Sequence, residues 1–284
     1  MHYRHSYHAG NFSDVFKHGL LCLLFDALRK KDTPFCYLET HAGAGVYDLR
    51  GTDARKTGEW RGGIGRLWRR RDAAPELAGY FAAVQALNPT LVDDVDLLRY
   101  YPGSPAIARA LRRAQDRLVL MELQPEPHAA LAQYFAKERH VAVHAQDGYR
   151  GLTAFLPPPQ ARGLVLIDPP FENPAEFVQA LAALRTAQTR WPTGCQALWY
   201  PIKDRAPAQR LHRSLIDSGV RRILCAELCV LPDDVALRLN GCGMILINPP
   251  WQIDKALESL LPRLLDVLRV EGPGRTRVEW LVPE

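Results

Sequence analysis

Two short segments of the chain place a polar residue, two prolines and an aromatic ring directly after an apolar run. Residues 167–171 read IDPPF, and residues 247–251 read INPPW. This combination at the exposed end of a buried strand indicates a site that holds a flat group. At most one of the two segments is expected to be the chemical centre.

The Asp-Pro-Pro-aromatic order suits transfer of a methyl group to an exocyclic amine such as that of adenine. That amine is a weak nucleophile, because its lone pair is delocalised into the ring. The Asp168 carboxylate and a backbone carbonyl held by Pro169 and its neighbour can accept both amine hydrogens, and Phe171 can stack on the base. Most of the rate would then come from positioning and preorganised electrostatics, and Asp168 could accept the proton or pass it to water.

A ligand crevice is predicted from the residues that follow the other apolar runs. The first run leads into YLETHAGAG, whose glycines, including Gly43, allow close backbone approach, although His41 stands where a nucleotide fingerprint has a glycine. Glu122 ends the second run, where an acid accepts hydrogen bonds from ribose. Asp147 and Gly148 follow the third, where an adenine amino group could be held. Because the fourth run ends in the DPPF motif, the predicted ligand is S-adenosylmethionine and not a nicotinamide.

The elements that must position these residues alternate along the chain. Strands are predicted at 35–40, 118–123, 141–145, 163–167, 197–201, 223–230 and 244–248. Helices fall between most of them, among them 13–30, 105–115, 127–137, 174–187 and 207–218. This order predicts an α/β fold with a mostly parallel sheet and helices on both faces. The last two strands are expected to form a hairpin, so that one strand runs antiparallel.

Residues 47–99 break the alternation and are predicted to form a small, mainly helical insertion. Its stretch EWRGGIGRLWRRRD interleaves arginines with Trp60 and Trp68, a composition that suits phosphates and unstacked bases. The candidate RNA contacts are Arg66, Arg69, Arg70 and Arg71. The alternative is a solvated helix face whose tryptophans are buried in a small core. Both interpretations stay open on the sequence.

Composition excludes some classes of function. The 284 residues are 47% hydrophobic and carry 36 basic against 31 acidic side chains, a net charge of +5 that permits a polyanionic partner without requiring one. None of the six cysteines forms a Cys-x-x-Cys pair, so no metal site is expected. The polar start of the chain does not read as a secretory signal, and no apolar run approaches the roughly 20 residues of a membrane span. We therefore expect a cytoplasmic protein.

Several long motifs together resemble one family. YRHSYHAGNFSDVFKH, LETHAGAG, RYYPGSP, IDPPF, ALWYP and INPPW are similar, nearly end to end, to the bacterial 23S ribosomal RNA adenine-N6 methyltransferases of the large-subunit methyltransferase J family. The resemblance implies a Rossmann-like class I S-adenosylmethionine-dependent methyltransferase sheet of seven strands, made by residues 1–46 and 100–284. It also implies a monomer that acts on 23S ribosomal RNA.

Roles follow from the resemblance at matching positions. Asp168 would be the catalytic acceptor, Tyr3 would touch the RNA, and residues 1–30 would close over the cofactor. The residues that would line the cofactor site are His18, His41, Ser104, Glu122, Asp147 and Gly148. Familiar members have Tyr where Phe171 stands, a change that keeps stacking.

The resemblance also indicates which of the two proline motifs is catalytic and leaves three rival functions. The family places its catalytic acid at the first motif, so we expect Asn248 to end a strand and Trp251 to pack on a neighbour. Rival interpretations are a DNA adenine-N6 methyltransferase, a non-catalytic RNA-binding protein that kept the fold, and a nicotinamide oxidoreductase.

Overall fold

The computed structural model describes residues 4–232, 235 and 238–284. The strands of this part are β1 (Phe35–Glu39), β2 (Val46–Asp48), β3 (Tyr100–Pro102), β4 (Arg117–Met121), β5 (Val141–His144), β6 (Arg162–Ile167), β7 (Cys195–Ile202), β8 (Ile223–Cys229), β9 (Gly241–Ile247) and β10 (Arg275–Val282). Its α-helices are α1 (Phe12–Arg29), α2 (Thr52–Thr57), α3 (Ile64–Arg69), α4 (Ala78–Leu87), α5 (Ser104–Leu111), α6 (Pro125–Tyr134), α7 (Gly148–Phe155), α8 (Glu176–Arg190), α9 (Arg205–Ile216) and α10 (Ile253–Leu268).

Eight strands form one sheet in the order β10-β8-β9-β7-β6-β1-β4-β5. The five strands from β7 to β5 in that order are parallel, and β9 runs antiparallel to both β7 and β8. The predicted α/β class, the seven predicted strands and the hairpin are confirmed. The eighth strand, β10, was not predicted. It lies at the edge, antiparallel to β8, and its mixed sequence RTRVEWLV leaves it only partly buried.

The sheet separates two apolar layers. The central strands β1 and β6 are buried almost throughout, which explains why they read as continuous apolar runs and not as alternating ones. One layer packs α1, α4, α5 and α10 against the sheet, and the other packs α7, α8 and α9. No helix in the described residues is long and apolar enough to cross a membrane.

The chain between β2 and β3 carries α2, α3 and α4, and the two strands pair as a short antiparallel ribbon at its base. Trp60 and Trp68 are 6% and 3% exposed and belong to the same apolar cluster as α1 and α10. The alternative with buried tryptophans is therefore right for these two rings, which are closed to unstacked bases. The boundaries 47–99 of a separate insertion stay a prediction.

Strand direction decides what the two proline motifs can do. The parallel strands all have their carboxyl ends on the same side of the sheet. The DPPF motif, which follows β6, lies on that side. Ile247, the last residue of β9, pairs with Gln196 and Ile223 near the starts of β7 and β8. The INPPW motif therefore lies at the amino ends of the parallel strands, opposite the DPPF motif.

Candidate active site

A cleft of about 1420 Å³ opens at the carboxyl ends of the parallel strands. The predicted site residues that line it are His18, His41, Gly43, Ser104, Glu122, Asp147, Gly148, Asp168, Pro169 and Phe171. The fold thus brings together side chains that are up to 153 residues apart, from 18 to 171, at one surface. This grouping is what parallel strands with acids at their ends predict.

The DPPF motif forms one wall of the cleft. Asp168 is 14% exposed at its side chain, and its backbone follows β6 directly. Phe171 adopts a positive φ of 48°, which turns the chain sharply after the two prolines. Its ring packs against Phe177 and Trp199 at centroid distances of 4.7 Å and 5.9 Å. The Phe171 ring is therefore held by two neighbouring aromatic rings, and stacking of a base on it stays a prediction.

A chain of buried charges holds Asp168. Lys17 Nζ donates to Asp168 Oδ2 at 2.6 Å and lies 3.0 Å from Asp14 Oδ1, one helical turn earlier in α1. His5 Nε2 lies 2.9 Å from the other oxygen of Asp14. Burial alone would raise the pKa of Asp14, but His5 and Lys17 outweigh it and hold that pKa well below its usual range.

Asp14 and Lys17 were not predicted as site residues from the sequence. The available signal was a pair of charged residues, three positions apart, in a helix that is otherwise largely apolar. In such a helix a charge without a partner would be costly, so a buried Asp-Lys pair indicates further charges nearby.

His18 lies one residue further along α1 and is fully buried. Its Nδ1 atom is 2.7 Å from the Tyr101 hydroxyl, which in turn is 3.0 Å from the Tyr80 hydroxyl. Burial lowers the pKa of His18 to about 3, so its ring is neutral. Nε2 makes no hydrogen bond within the described residues, and the ring lines the cleft. A buried, unpaired ring nitrogen at this position is suited to a polar ligand.

The glycine turn after β1 is joined to the acid after β4. Gly43 has a φ of +62°, and its N–H donates to Glu122 Oε2 at 2.8 Å. Gln124 N–H donates to the other oxygen of Glu122, also at 2.8 Å. Each oxygen keeps a further lone pair, so the carboxylate can still accept hydroxyl groups of a ribose.

The neighbouring strand end supplies the predicted third acid. Asp147 caps α7 by accepting from the N–H groups of Tyr149 and Arg150. Gly148 follows it, and a Cβ there would collide with the backbone of Thr40. His41 contacts the Tyr149 ring at 5.0 Å, and burial lowers the pKa of His41 to about 4. The loops after β1 and β5 are thus packed directly together.

Glu39, the last residue of β1, was not proposed as a site residue from the sequence. It is fully buried and accepts hydrogen bonds from the hydroxyl groups of Tyr37 and Ser104. Burial raises its pKa to about 8. Glu39 therefore fixes Ser104, which lines the cleft, through a carboxyl group that itself lies beneath the surface.

The N-terminal segment from residue 4 to 11 lies between the cleft and the helical segment before β3. Ser6 donates to Asp53, His8 and Asn11 both bond Glu59, and Ile64 N–H donates to the Gly10 carbonyl. Residues 4, 5, 6 and 8 line the cleft. Tyr3 lies outside the described residues, and closure of the segment over a cofactor stays a prediction.

The four candidate arginines lie on or just after α3 but differ in their partners. Arg66 donates to the Arg269 carbonyl, and Arg70 lies 3.8 Å from Asp266. Arg71 stacks on Trp68 and donates to Asp93 at 2.6 Å. Arg69 is exposed and has no ion pair within the described residues. Their contact with RNA stays a prediction.

The second proline motif does not reach the cleft. Asn248 has a φ of +50° and donates to the carbonyls of Pro192 and Gly194. Trp251 is 83% exposed, so the expectation that it packs on a neighbour is wrong. The turn places the tryptophan beyond the strand on the solvent side.

One group outside the cleft could by its distances share a metal ion. His212, Cys225 and Glu227 are buried together between α9 and β8. Arg205 already pairs with Glu227 at 2.7 Å, and Arg277 lies 4.0 Å from it. Two guanidinium groups compensate the carboxylate, which argues for a structural network. The absence of a metal stays a prediction.

The end of the cleft formed by β1, β4 and β5 has features that suit S-adenosylmethionine, and binding of the cofactor there stays a prediction. That end has the glycine turn for close approach, the Glu122 oxygens for a ribose, and the unpaired His18 nitrogen. It also carries the carboxylates of Glu122 and Asp147, which suit a sulfonium cation.

Comparisons with known proteins agree on one family. Residues 32–282 match the family model described as "Ribosomal RNA large subunit methyltransferase D, RlmJ". The chain is 43% identical to "Ribosomal RNA large subunit methyltransferase J" of Escherichia coli and 41% identical to the protein of that name from Haemophilus influenzae, each over 99% of both chains. A crystal structure of a Legionella pneumophila protein superposes with a TM-score of 0.87 at 34% identity, covering 96% of this chain and 98% of the other.

Proposed function

The chain belongs to the family of ribosomal RNA large subunit methyltransferase J, and we propose that it methylates the N6 amine of one adenine in 23S ribosomal RNA. The methyl donor is S-adenosylmethionine. The observation that carries the proposal is the position of Asp168, paired with Lys17 and next to the glycine turn that suits the donor.

The chain's own groups position the amine. Lys17 holds Asp168 Oδ2, while Asp168 Oδ1 makes no hydrogen bond to the described part of the chain and can accept one amine hydrogen. A backbone carbonyl of the proline pair would accept the second hydrogen. With both hydrogens held, the nitrogen lone pair is directed out of the ring plane. Preorganised acceptors of this kind act without reorganising during the reaction.

The remaining steps concern the methyl group and a proton. S-adenosylmethionine, when bound, supplies an electrophilic methyl group on a sulfonium. Methylation makes the amine acidic, and Asp168 takes its proton or passes it to water at the cleft mouth. Phe171, fixed by Phe177 and Trp199, limits the tilt of the base. Positioning by rigid groups supplies most of the rate.

The RNA must present an unpaired base. An adenine in a helix would be flipped out at a cost of a few kcal/mol. Because side chains read A-form grooves poorly, contacts with the backbone supply much of the affinity. Arg66, Arg69, Arg70, Arg71 and Tyr3 are the proposed contacts. A monomeric state and a cytoplasmic location are further expectations.

The test is nucleoside mass spectrometry on an unmodified 23S RNA transcript incubated with the protein and S-adenosylmethionine, with duplex DNA in parallel. N6-methyladenosine in the RNA alone is expected. Methylated DNA alone would replace the proposed substrate by the DNA alternative. No product with intact donor binding would favour a non-catalytic RNA-binding protein.

A pair of variants tests the assignment of the acid. Asp168→Ala is expected to remove methylation, since the amine loses its acceptor. Asn248→Ala changes a residue at the amino ends of the parallel strands, away from the cleft. This variant is expected to methylate at the wild-type rate once folding is verified by circular dichroism. Methylation by the first variant and none by a folded second variant would reverse the assignment.

A further inference from the structure

The cleft extends past the DPPF motif to residues that the proposed methyl transfer does not use. In the sheet, β6 with Asp168 lies between β1 on one side and β7 on the other. The donor end, described above, covers β1, β4 and β5. We call the opposite end, over β7 and the segments after it, the far end. It is lined mainly by Trp199, Pro201, Lys203, Leu231, Arg238 and Leu239.

The two ends differ in charge. Every carboxylate among the described cleft residues belongs to the first 176 residues of the chain. From residue 199 onward the described lining contains two cations, Lys203 and Arg238, and no acid. Both cations are exposed, and neither forms an ion pair with the part of the chain that the structure describes. Among the described residues, the lining of the far end is therefore positively charged, which suits an anion.

The floor of the far end is aromatic and apolar. Trp199 is half-buried, and its ring meets Phe171 edge to face at 5.9 Å. Pro201 lies two residues further along β7, on the same side of the strand as Trp199. Leu231, which follows β8, is buried beside them. An aromatic ring next to free cations is the arrangement that binds single-stranded nucleic acid, with the base stacked and the phosphate paired.

We propose that the far end is a second nucleotide subsite, which binds the nucleotide adjacent to the target adenine. Its base lies on Trp199, and Lys203 and Arg238 hold a phosphate. The inference rests on the proposed RNA substrate. Because β6 and β7 are neighbours at roughly 4.8 Å, a base at Asp168 leaves the next nucleotide within reach of the far end. The donor and the RNA strand then enter the cleft from opposite ends.

The test measures equilibrium binding of an unmodified 23S RNA transcript over a range of KCl concentrations. The double variant Lys203→Ala/Arg238→Ala is expected to bind about tenfold more weakly, and its slope of log Kd against log salt should fall by roughly 0.7, as the loss of one neutralised phosphate on a single strand requires. Trp199→Leu is expected to bind about tenfold more weakly with an unchanged slope, because it loses stacking and no charge.

The matched control is Lys30→Ala/Lys31→Ala. It removes the same charge from an exposed segment before β1. This segment lies at the amino ends of the parallel strands, away from the cleft. It should keep the wild-type affinity and slope. Donor affinity, measured by calorimetry, verifies that each variant is folded.

The outcomes separate the two proposals. If the wild type methylates the transcript but the Lys203/Arg238 variant keeps its affinity and slope, the far-end subsite is wrong and the proposed function stands. The subsite is equally wrong if the control variant loses as much as the test variant. If the wild type neither binds nor methylates the transcript, the proposed function fails and the subsite fails with it.

Discussion

At the scale of single residues, the site depends on charges that stabilise one another out of water. Asp14, Lys17 and Asp168 form a continuous series, with neighbours at 3.0 Å and 2.6 Å. Removing one member of such a series destabilises the folded protein by more than the energy of the contact itself, because a buried charge is left uncompensated. The acid of the DPPF motif could be predicted from the sequence, but its lysine partner, 151 residues away, could not.

The first prediction concerns that partner. Lys17→Met should lower the single-turnover rate of RNA methylation by about 100-fold, since Asp168 loses the group that fixes its orientation. Lys17→Arg should restore part of the loss because it keeps the charge. The measurement is single-turnover methylation at saturating donor, with the exposed Lys30→Met at the end of the same helix as control. Equal rates for Lys17→Met and the control would contradict the role.

The second prediction concerns Glu39. Burial raises its pKa from 4.5 to about 8, so the folded chain keeps a proton that the unfolded chain loses. The stability that this proton contributes is complete at acid pH and disappears as pH rises through about 8. We expect the Tm of the wild type to fall more between about pH 5 and about pH 8 than that of Glu39→Gln.

His18 and His41 do not affect that comparison. Their lowered pKa values act in the opposite direction, with stability lost as pH falls through about 3 and about 4, and they are present in both proteins. Scanning calorimetry in matched buffers gives the difference. Parallel pH profiles for the wild type and Glu39→Gln would show that Glu39 titrates normally.

At the scale of elements, apolar runs predicted the buried strands because those strands are covered on both faces. The edge strand β10 was missed, since a half-exposed strand of alternating residues gives a weaker signal than a buried run. The arginine-rich helix α3 was ambiguous for another reason. Composition does not show which face of a short helix is buried. In α3 it is the face that carries Trp68. The residues after β1 and β5 were predicted to line one crevice, but the close packing of the two loops was not predicted.

The third prediction tests that packing. Gly148→Ala places a Cβ against the Thr40 backbone, which must move and take the His41 turn with it. Affinity for S-adenosylmethionine should fall by at least about tenfold, measured by calorimetry. Gly219→Ala is the control, since a Cβ there meets open space and costs about 1 kcal/mol through its positive φ alone. Unchanged donor affinity in Gly148→Ala would mean that the loop adapts.

At the scale of the whole molecule, sheet topology separates two motifs that look alike in the sequence. Both follow an apolar strand, but β9 runs against its neighbours, so only the motif after β6 reaches the cleft. The order of the strands along the chain can be predicted from the sequence. The direction in which each strand runs in the sheet is a weaker prediction. The place of Asp168 after the fourth predicted strand and the resemblance of long motifs both favoured Asp168 over Asn248, and the topology brings only Asp168 to the cleft. The catalytic role of Asp168 stays a prediction.

The fourth prediction concerns the basic surface beside the cleft. Arg69 is exposed without an ion pair in the described residues, whereas Arg71 is held by Asp93 and the Trp68 ring. Arg69→Ala should therefore weaken binding of the 23S transcript more than Arg71→Ala, by about threefold at low salt. The difference should shrink as salt rises. A larger effect of Arg71→Ala would show that its partners release it to the RNA.

The strand order has a consequence for synthesis of the chain. Strand β1 lies in the middle of the sheet and is made before both strands with which it pairs, β4 and β6. It cannot have both neighbours until residue 167 has been made. The largely apolar α1 precedes it and contacts α10, which is made later still. The growing chain therefore carries exposed apolar surface through most of its synthesis, when aggregation competes with folding.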